Sequence, residues 1–324
     1  MKTSVNIELT NRCNASCITC PRESIKETGD MKLSDFKILL NRIYEDKEKI
    51  SMVNFSGYGE AILHKDFFKI IQLIKEFNKK LKKQKEKPVK FAVVTNGYSL
   101  DKKKLEAMEG VLDRLSISFA TINPENYKKI HLGLNYKKVV ENIKLARKLL
   151  KKSRLVLHLT PTRFTMNDIK PTVNYWRDRG IKEIVLFPFT FNRAGNLKVK
   201  NTHLDIDEKR NLKLARELRL KQLEEVFVPS LKDFFLVMTK KVPCLARFAC
   251  LYIDYKGNYH YCINDIASKH VTGNTKEESI KEILDKHDKI FFSNALCKNC
   301  NMRSGVSKSS LTKIMANSLL SIKA

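Results

Sequence analysis

The sequence predicts an α/β fold of parallel strand–helix units, and two observations carry that prediction. Short β-branched or apolar runs alternate with longer amphipathic runs through the first two-thirds of the chain, the pattern of repeated βαβ units. The chemically unusual residues then fall just after the strands, where α/β folds place their ligands.

Residues 4–10 alternate Val5, Ile7 and Leu9 with polar neighbours, the period of a strand. Residues 33–45 repeat apolar side chains at helical spacing and give the first crossover helix. The second strand is 52–56 and its helix 67–81. Residues 91–95 read Phe-Ala-Val-Val-Thr, apolar on both faces as in a buried parallel strand. Strands at 115–119, 155–160 and 183–188 follow, with helices at 136–151 and 168–179 between them.

Cys13, Cys17 and Cys20 follow the first strand with CxxxCxxC spacing. Soft thiolates so close together select zinc or an iron–sulfur cluster. Structural zinc takes four protein ligands, and an ordinary cubane cluster takes four cysteines. No fourth cysteine precedes Cys244, and the nearest histidine is His64. One metal position is left open for chemistry. A buried thiol cluster or a zinc knuckle is the plainer alternative.

This loop resembles the signature of the radical S-adenosylmethionine (SAM) superfamily. The resemblance implies a partial (β/α)6 TIM-like barrel with a small C-terminal cysteine-rich auxiliary-cluster domain. It implies that Cys13, Cys17 and Cys20 hold three irons of a 4Fe–4S cluster, the fourth iron being chelated by SAM. Reduction would then split SAM into methionine and a 5′-deoxyadenosyl radical that takes hydrogen from a substrate. After the second strand, Ser56-Gly57-Tyr58-Gly59-Glu60-Ala61 resembles the family's Gly-Gly-Glu-Pro segment, which binds the SAM amino group. Tyr58 replaces the first glycine and Ala61 the proline, so the match rests on Gly59 and Glu60. Thr95-Asn96-Gly97 follows the third strand, as is common in the superfamily. Ser118, in the fourth strand, is the candidate for the serine that meets the SAM carboxylate. Asn192 and Arg193, in Asn192-Arg193-Ala194-Gly195-Asn196, resemble a turn near the adenine. Thr19 stands where an aromatic residue is usual. Taken singly, Gly57 and Gly59 also suit a plain tight turn, and Ser118 an ordinary strand hydroxyl. His158 and Thr160 either face the substrate or are satisfied polar groups of the barrel.

Of the 8 cysteines, none lies between Cys20 and Cys244. The chain shows no signal peptide at residues 1–5, and the first cysteine loop demands a reducing compartment, so metal ligation is expected over disulfides. Cys244, a hairpin over 251–262 with Gly257 at its turn, residues 271–274, a helix at 279–284, and Cys297-Lys298-Asn299-Cys300 resemble the SPASM and shorter twitch auxiliary-cluster domains. A full SPASM domain carries two auxiliary clusters, and the cysteines here supply one. The expected ligands are Cys244, Cys262, Cys297 and Cys300, forming a second 4Fe–4S cluster; zinc on the same four is the alternative. Cys250, among apolar residues on a predicted strand, is expected to be a spare buried thiol. The domains are then a radical SAM core at 1–205, a helical linker at 206–240 with a charged helix at 212–228, the auxiliary-cluster domain at 241–303, and a C-terminal tail at 304–324.

The net charge is +27. Most of the excess is lysine, much of it between Asn78 and Lys87, where a helix end and loop read as a solvated face. No nucleic-acid recognition module accompanies it, and nucleic acid is not an expected partner. A basic surface suits an acidic electron donor such as a flavodoxin or ferredoxin. No apolar run approaches the ~20 residues of a membrane span, so a cytoplasmic location is expected. Modification of a peptide or protein ranks first among substrates, then oxidation of a small sugar-like or nucleotide substrate, then RNA modification. An electron carrier without SAM chemistry and a zinc-stabilised nucleic-acid-binding protein are the readings outside enzymology. Glu60 argues against the first, and the missing fourth ligand against the second.

Overall fold

The structure, a computed structural model, describes residues 2–187, 208–222, 244, 247, 249–265, 268 and 270–289. Its centre is a run of parallel strands, β1 (Thr3–Ile7), β2 (Ile50–Phe55), β3 (Phe91–Thr95), β4 (Arg114–Ser118), β5 (Arg154–Leu159), β6 (Glu183–Leu186) and β7 (Lys221–Gln222), lying side by side in chain order. Helical crossovers join them: α1 (Leu33–Glu45), α2 (Phe67–Lys83), α3 (Lys102–Met108), α4 (Pro124–Ile130), α5 (Tyr136–Leu149), α6 (Ile169–Asp178) and α7 (Glu208–Glu217). Among the described residues the strands run in one linear order with β7 at an edge, so the sheet is the unclosed, partial barrel the sequence predicts.

The core forms where strand and helix periodicities meet. Phe36, Leu39 and Ile43 of α1, and Ile70 and Ile74 of α2, lie on the buried side of their helices. Val53, Phe55, Phe91 and Val93 meet them from the sheet, with Phe55 against Phe36 and Phe91. At the other end of α2, Lys79, Lys80, Lys82 and Lys83 are exposed around buried Leu81, as a solvated basic face requires.

Most predicted elements lie within a few residues of their observed places, and each difference has a local cause. Predicted strand 4–10 ends at Ile7: Glu8 N–H still bonds the Ile253 carbonyl on the neighbouring strand, and beyond it the chain takes a new partner, Met31 N–H bonding the Leu9 carbonyl and Thr10 bridging Asp30. Helices α3 and α4 escape the periodicity reading because each spans only 7 residues. Their signal is the cap. The Asp101 carboxylate accepts Lys104 N–H, and the Asn123 side chain accepts Glu125 and Asn126 N–H ahead of Pro124. The charged helix expected at 212–228 is described as Glu208–Glu217, residues 223–228 lying outside the described residues. The chain then turns at Arg219, with φ +49, and Lys221–Gln222 joins the sheet beside β6.

The C-terminal region continues the same sheet. Strand β8 (Cys250–Ile253) pairs parallel with β1, placing Cys250 opposite Ser4 and Ile253 opposite Ile7. Strands β9 (Asn258–His260) and β10 (Val271–Asn274) follow antiparallel. Gly257 makes the predicted hairpin turn with φ +82, a conformation open to glycine. Helix α8 (Ile280–Lys289) runs beyond the predicted 279–284. A capping box starts it: Ser279 Oγ accepts Glu282 N–H, and Glu282 Oε2 accepts Ser279 N–H.

Candidate functional site

The loop after β1 carries the first three cysteines and is tied down on two sides. Ser16 and Ile18 donate backbone N–H groups to the carbonyls of Leu132 and Ile130, at 2.9 and 3.0 Å. Arg22 donates from Nη1 to the carbonyls of Asn11, at 2.7 Å, and Tyr58, at 2.6 Å. One open cavity, with ≈ 960 Å³ of empty space including its mouth, takes in Cys13, Cys17 and Cys20 together with Gly59, Glu60 and Ser118. Asn96, His158 and Thr160 line it too, from the ends of β3 and β5. Nine residues singled out on five separate sequence segments thus meet at the carboxyl ends of parallel strands.

The electrostatics suit a metal cluster and a cation beside it. Burial pushes the Cys17 thiol up to about 12, and the neighbouring Cys20 and Cys13 add to the shift. Burial also raises Cys13. Such thiols become thiolates when a metal supplies the compensating charge. Among the described residues no three His, Cys, Asp or Glu side chains surround a single ion. The three cysteines line one cavity, and three thiolates there fit a cubane that keeps one iron for another ligand.

Glu60 is buried at 2 % exposure, and burial pushes its carboxyl up to about 7. Its Oε2 accepts Asn96 N–H at 2.7 Å, while Oε1 is buried without a protein partner. An unpaired carboxylate oxygen at this position fits an amino group delivered by a ligand. Gly59 is required for another reason: a Cβ there would stand 2.0 Å from the Thr10 carbonyl oxygen. Only glycine lets this segment ride so close to the start of the cysteine loop.

Tyr58, which replaces a glycine of the family pattern, reaches toward the C-terminal region. Its ring is buried edge-on to Tyr252, with centroids 6.1 Å apart, and its hydroxyl donates to the Ile263 carbonyl, one residue from Cys262. Cys20 packs against the same pair of rings. Beneath them Glu8 Oε2 accepts Tyr58 N–H and the Tyr252 hydroxyl, each at 2.8 Å. His260 is buried between Asp254, at 2.9 Å, and Asp265, at 3.7 Å. Burial opposes its charge, but the two carboxylates outweigh that and hold it up to about 9.

His131 is a cavity residue that the sequence reading missed. Its Nδ1 lies 3.2 Å from Cys17 Sγ, and burial pushes the ring down to about 4. No spacing rule links residues 114 positions apart; the contact exists because α4 ends beside the cysteine loop. His158 lies tilted against Phe187, with ring centroids 4.5 Å apart, and burial with nearby Arg114 pushes it down to about 3.

Of the second cysteine group, Cys244 and Cys262 are described; Cys297 and Cys300 lie outside the described residues, as do Asn192 and Arg193. Cys262 Sγ accepts Asn264 N–H at 3.4 Å. Cys250 sits on β8, where Asn6 Nδ2 donates to its sulfur at 3.2 Å and burial pushes the thiol up to about 11.

A parallel α/β sheet with clustered thiols and a buried acid at its carboxyl edge defines a cofactor-dependent enzyme. Comparison with known proteins gives the family. The model of the radical SAM superfamily matches residues 7–175, and that of an iron–sulfur cluster-binding domain matches residues 244–301. The chain belongs to the radical SAM superfamily. Its cofactors are therefore a 4Fe–4S cluster with SAM and, from the second match, an auxiliary iron–sulfur cluster. A curated relative named "Probable GTP 3',8-cyclase", from Methanocaldococcus jannaschii, is 28% identical over 192 residues, 57% of this chain and 58% of that protein. The match thus spans under two thirds of the relative's length. Among solved structures, "Native anSMEcpe with bound AdoMet and Cp18Cys peptide" superposes with a TM-score of 0.68 at 17% identity, covering 93% of this chain and 86% of that one. "BtrN in complex with AdoMet and 2-DOIA" gives 0.53 at 17%, covering 93% of both chains. At these identities the likeness is one of fold. Among the described residues no helix is long and apolar enough to cross a membrane.

Proposed function

We propose that this chain reductively cleaves SAM and abstracts hydrogen from a peptide or protein substrate. The observation that carries the reading is the meeting of Cys13, Cys17, Cys20, the unpartnered Oε1 of Glu60 and Ser118 in one cavity. When bound and reduced, the cluster with SAM supplies a 5′-deoxyadenosyl radical. The protein's part is to bind, orient and exclude water. Cys13, Cys17 and Cys20 would hold the cluster. Glu60, with its unpartnered Oε1, would hold the SAM amino group, and Ser118 would hold its carboxylate. Asn192 and Arg193 serve the nucleoside. Arg22 keeps the cysteine loop and the Tyr58 segment in register through the two carbonyls it bridges. Cys244, Cys262, Cys297 and Cys300 hold the auxiliary cluster, and the basic surface receives an acidic electron donor such as a flavodoxin or ferredoxin.

The peptide reading is supported by the pairing of a radical SAM core with a separate iron–sulfur cluster-binding match. A nucleotide substrate is the second reading, favoured by relatives that carry the name GTP 3',8-cyclase. Deuterium transfer separates them. Reduced enzyme and SAM are mixed with an extract of the source organism grown in deuterated medium, or with deuterated GTP. Label entering 5′-deoxyadenosine from the macromolecular fraction, and lost after protease digestion, supports the peptide substrate. Label entering from GTP supports the nucleotide instead.

A further inference from the structure

The loop around Cys17 runs alongside the chain leaving α4. Ser16 and Ile18, on either side of Cys17, donate N–H to Leu132 and Ile130, on either side of His131. The two bonds set Cys17 and His131 face to face, with Nδ1 3.2 Å from Sγ. The Tyr127 ring, with its centroid 4.6 Å from the imidazole, fixes the ring's orientation. The other nitrogen, Nε2, is buried and has no protein partner. A buried N–H without an acceptor is costlier than an idle lone pair, so the ring's proton belongs on Nδ1, facing the sulfur.

Resting on the reading that Cys17 holds an iron of the SAM-binding cluster, we propose that His131 donates its Nδ1–H to the Cys17 thiolate and thereby raises that cluster's reduction potential. A reduced cluster carries one more negative charge. A donor at its sulfur stabilises the reduced form more than the oxidised one. His131 is a positioning residue here, acting through Cys17, and it makes the first electron easier to accept.

The test uses the reconstituted holoprotein, with the reduced cluster followed by electron paramagnetic resonance at controlled potentials. The signal that changes when SAM is added marks the SAM-binding cluster apart from the auxiliary one. His131→Leu is expected to lower the reduced-to-oxidised ratio of that cluster about tenfold at fixed potential, about 59 mV for one electron. His131→Asn, which keeps an N–H donor near the Nδ1 position, is expected to recover most of the loss. In the unmutated protein carrying isotopically labelled histidine, the same signal is expected to show a histidine-nitrogen coupling. That measurement decides the matter should His131→Leu fail to assemble its cluster. Unchanged potentials in the Leu variant, or no histidine coupling, would overturn the proposal and leave the SAM reading standing. A wild-type protein with no SAM-sensitive cluster would overturn the reading beneath it.

Discussion

The Tyr252 hydroxyl donates to the Glu8 carboxylate at 2.8 Å, across 244 positions of sequence. This bond joins β8, on the side of the C-terminal cysteines, to the chain entering the Cys13 loop. Burial raises Glu8, while the bonds from Tyr58 and Tyr252 hold it down in part. Tyr252→Phe removes one of the two donors and leaves the buried carboxyl short of a partner. The expected cost is about 1–3 kcal/mol in urea unfolding, larger in alkaline than in acid buffer because the lost bond favours the ionised form. A variant as stable as wild type would show that the bond carries no weight.

Glu60 predicts a pH dependence with a definite sign. Burial lifts its folded-state value from 4.5 to about 7. A raised acid holds its proton more tightly when folded, so its stabilising contribution is full below 4.5 and is lost as pH rises through about 7. Over that window the cofactor-free protein is expected to lose roughly 3 kcal/mol relative to Glu60→Gln. Urea titrations at both ends of the window measure it. Parallel pH profiles for the two proteins would contradict the burial argument.

The cysteine assignments predict opposite outcomes for two neighbours. Cys250 accepts Asn6 Nδ2 on β8 and is not needed for a cluster, so Cys250→Ala is expected to keep its full iron. Cys262→Ala is expected to lose about half, since one cubane of two is disrupted. Iron and sulfide analysis after anaerobic reconstitution reads both. Loss of iron in Cys250→Ala with retention in Cys262→Ala would exchange their roles.

The strands and long helices were legible in the sequence because burial on a parallel sheet and helix amphipathicity each leave a period. Helix α1 was read to the residue. Helices α3 and α4 were not, because 7 residues make barely two turns and only Asp101 and Asn123 mark their starts. Cys13 and Glu60 stand out in the sequence because each follows its own strand, and Ser118 because it lies at the carboxyl end of one. His131 was hidden, since its meeting with Cys17 is made by a helix too short to be read. The purpose of Tyr58 was hidden as well: its hydroxyl bond to Ile263 crosses 205 positions. The charged run at 212–228 looked like one long helix because its polarity pattern does not show the turn at Arg219.

The most direct test of the whole account is the reaction itself. Protein reconstituted without oxygen is reduced with dithionite and given SAM, and 5′-deoxyadenosine is measured together with iron and sulfide. The account predicts about eight irons per chain and steady 5′-deoxyadenosine formation. It also predicts that changing Cys13, Cys17 and Cys20 together to alanine abolishes the cleavage while the auxiliary cluster's iron remains. Clusters that form fully but never cleave SAM, under any reductant, would contradict it.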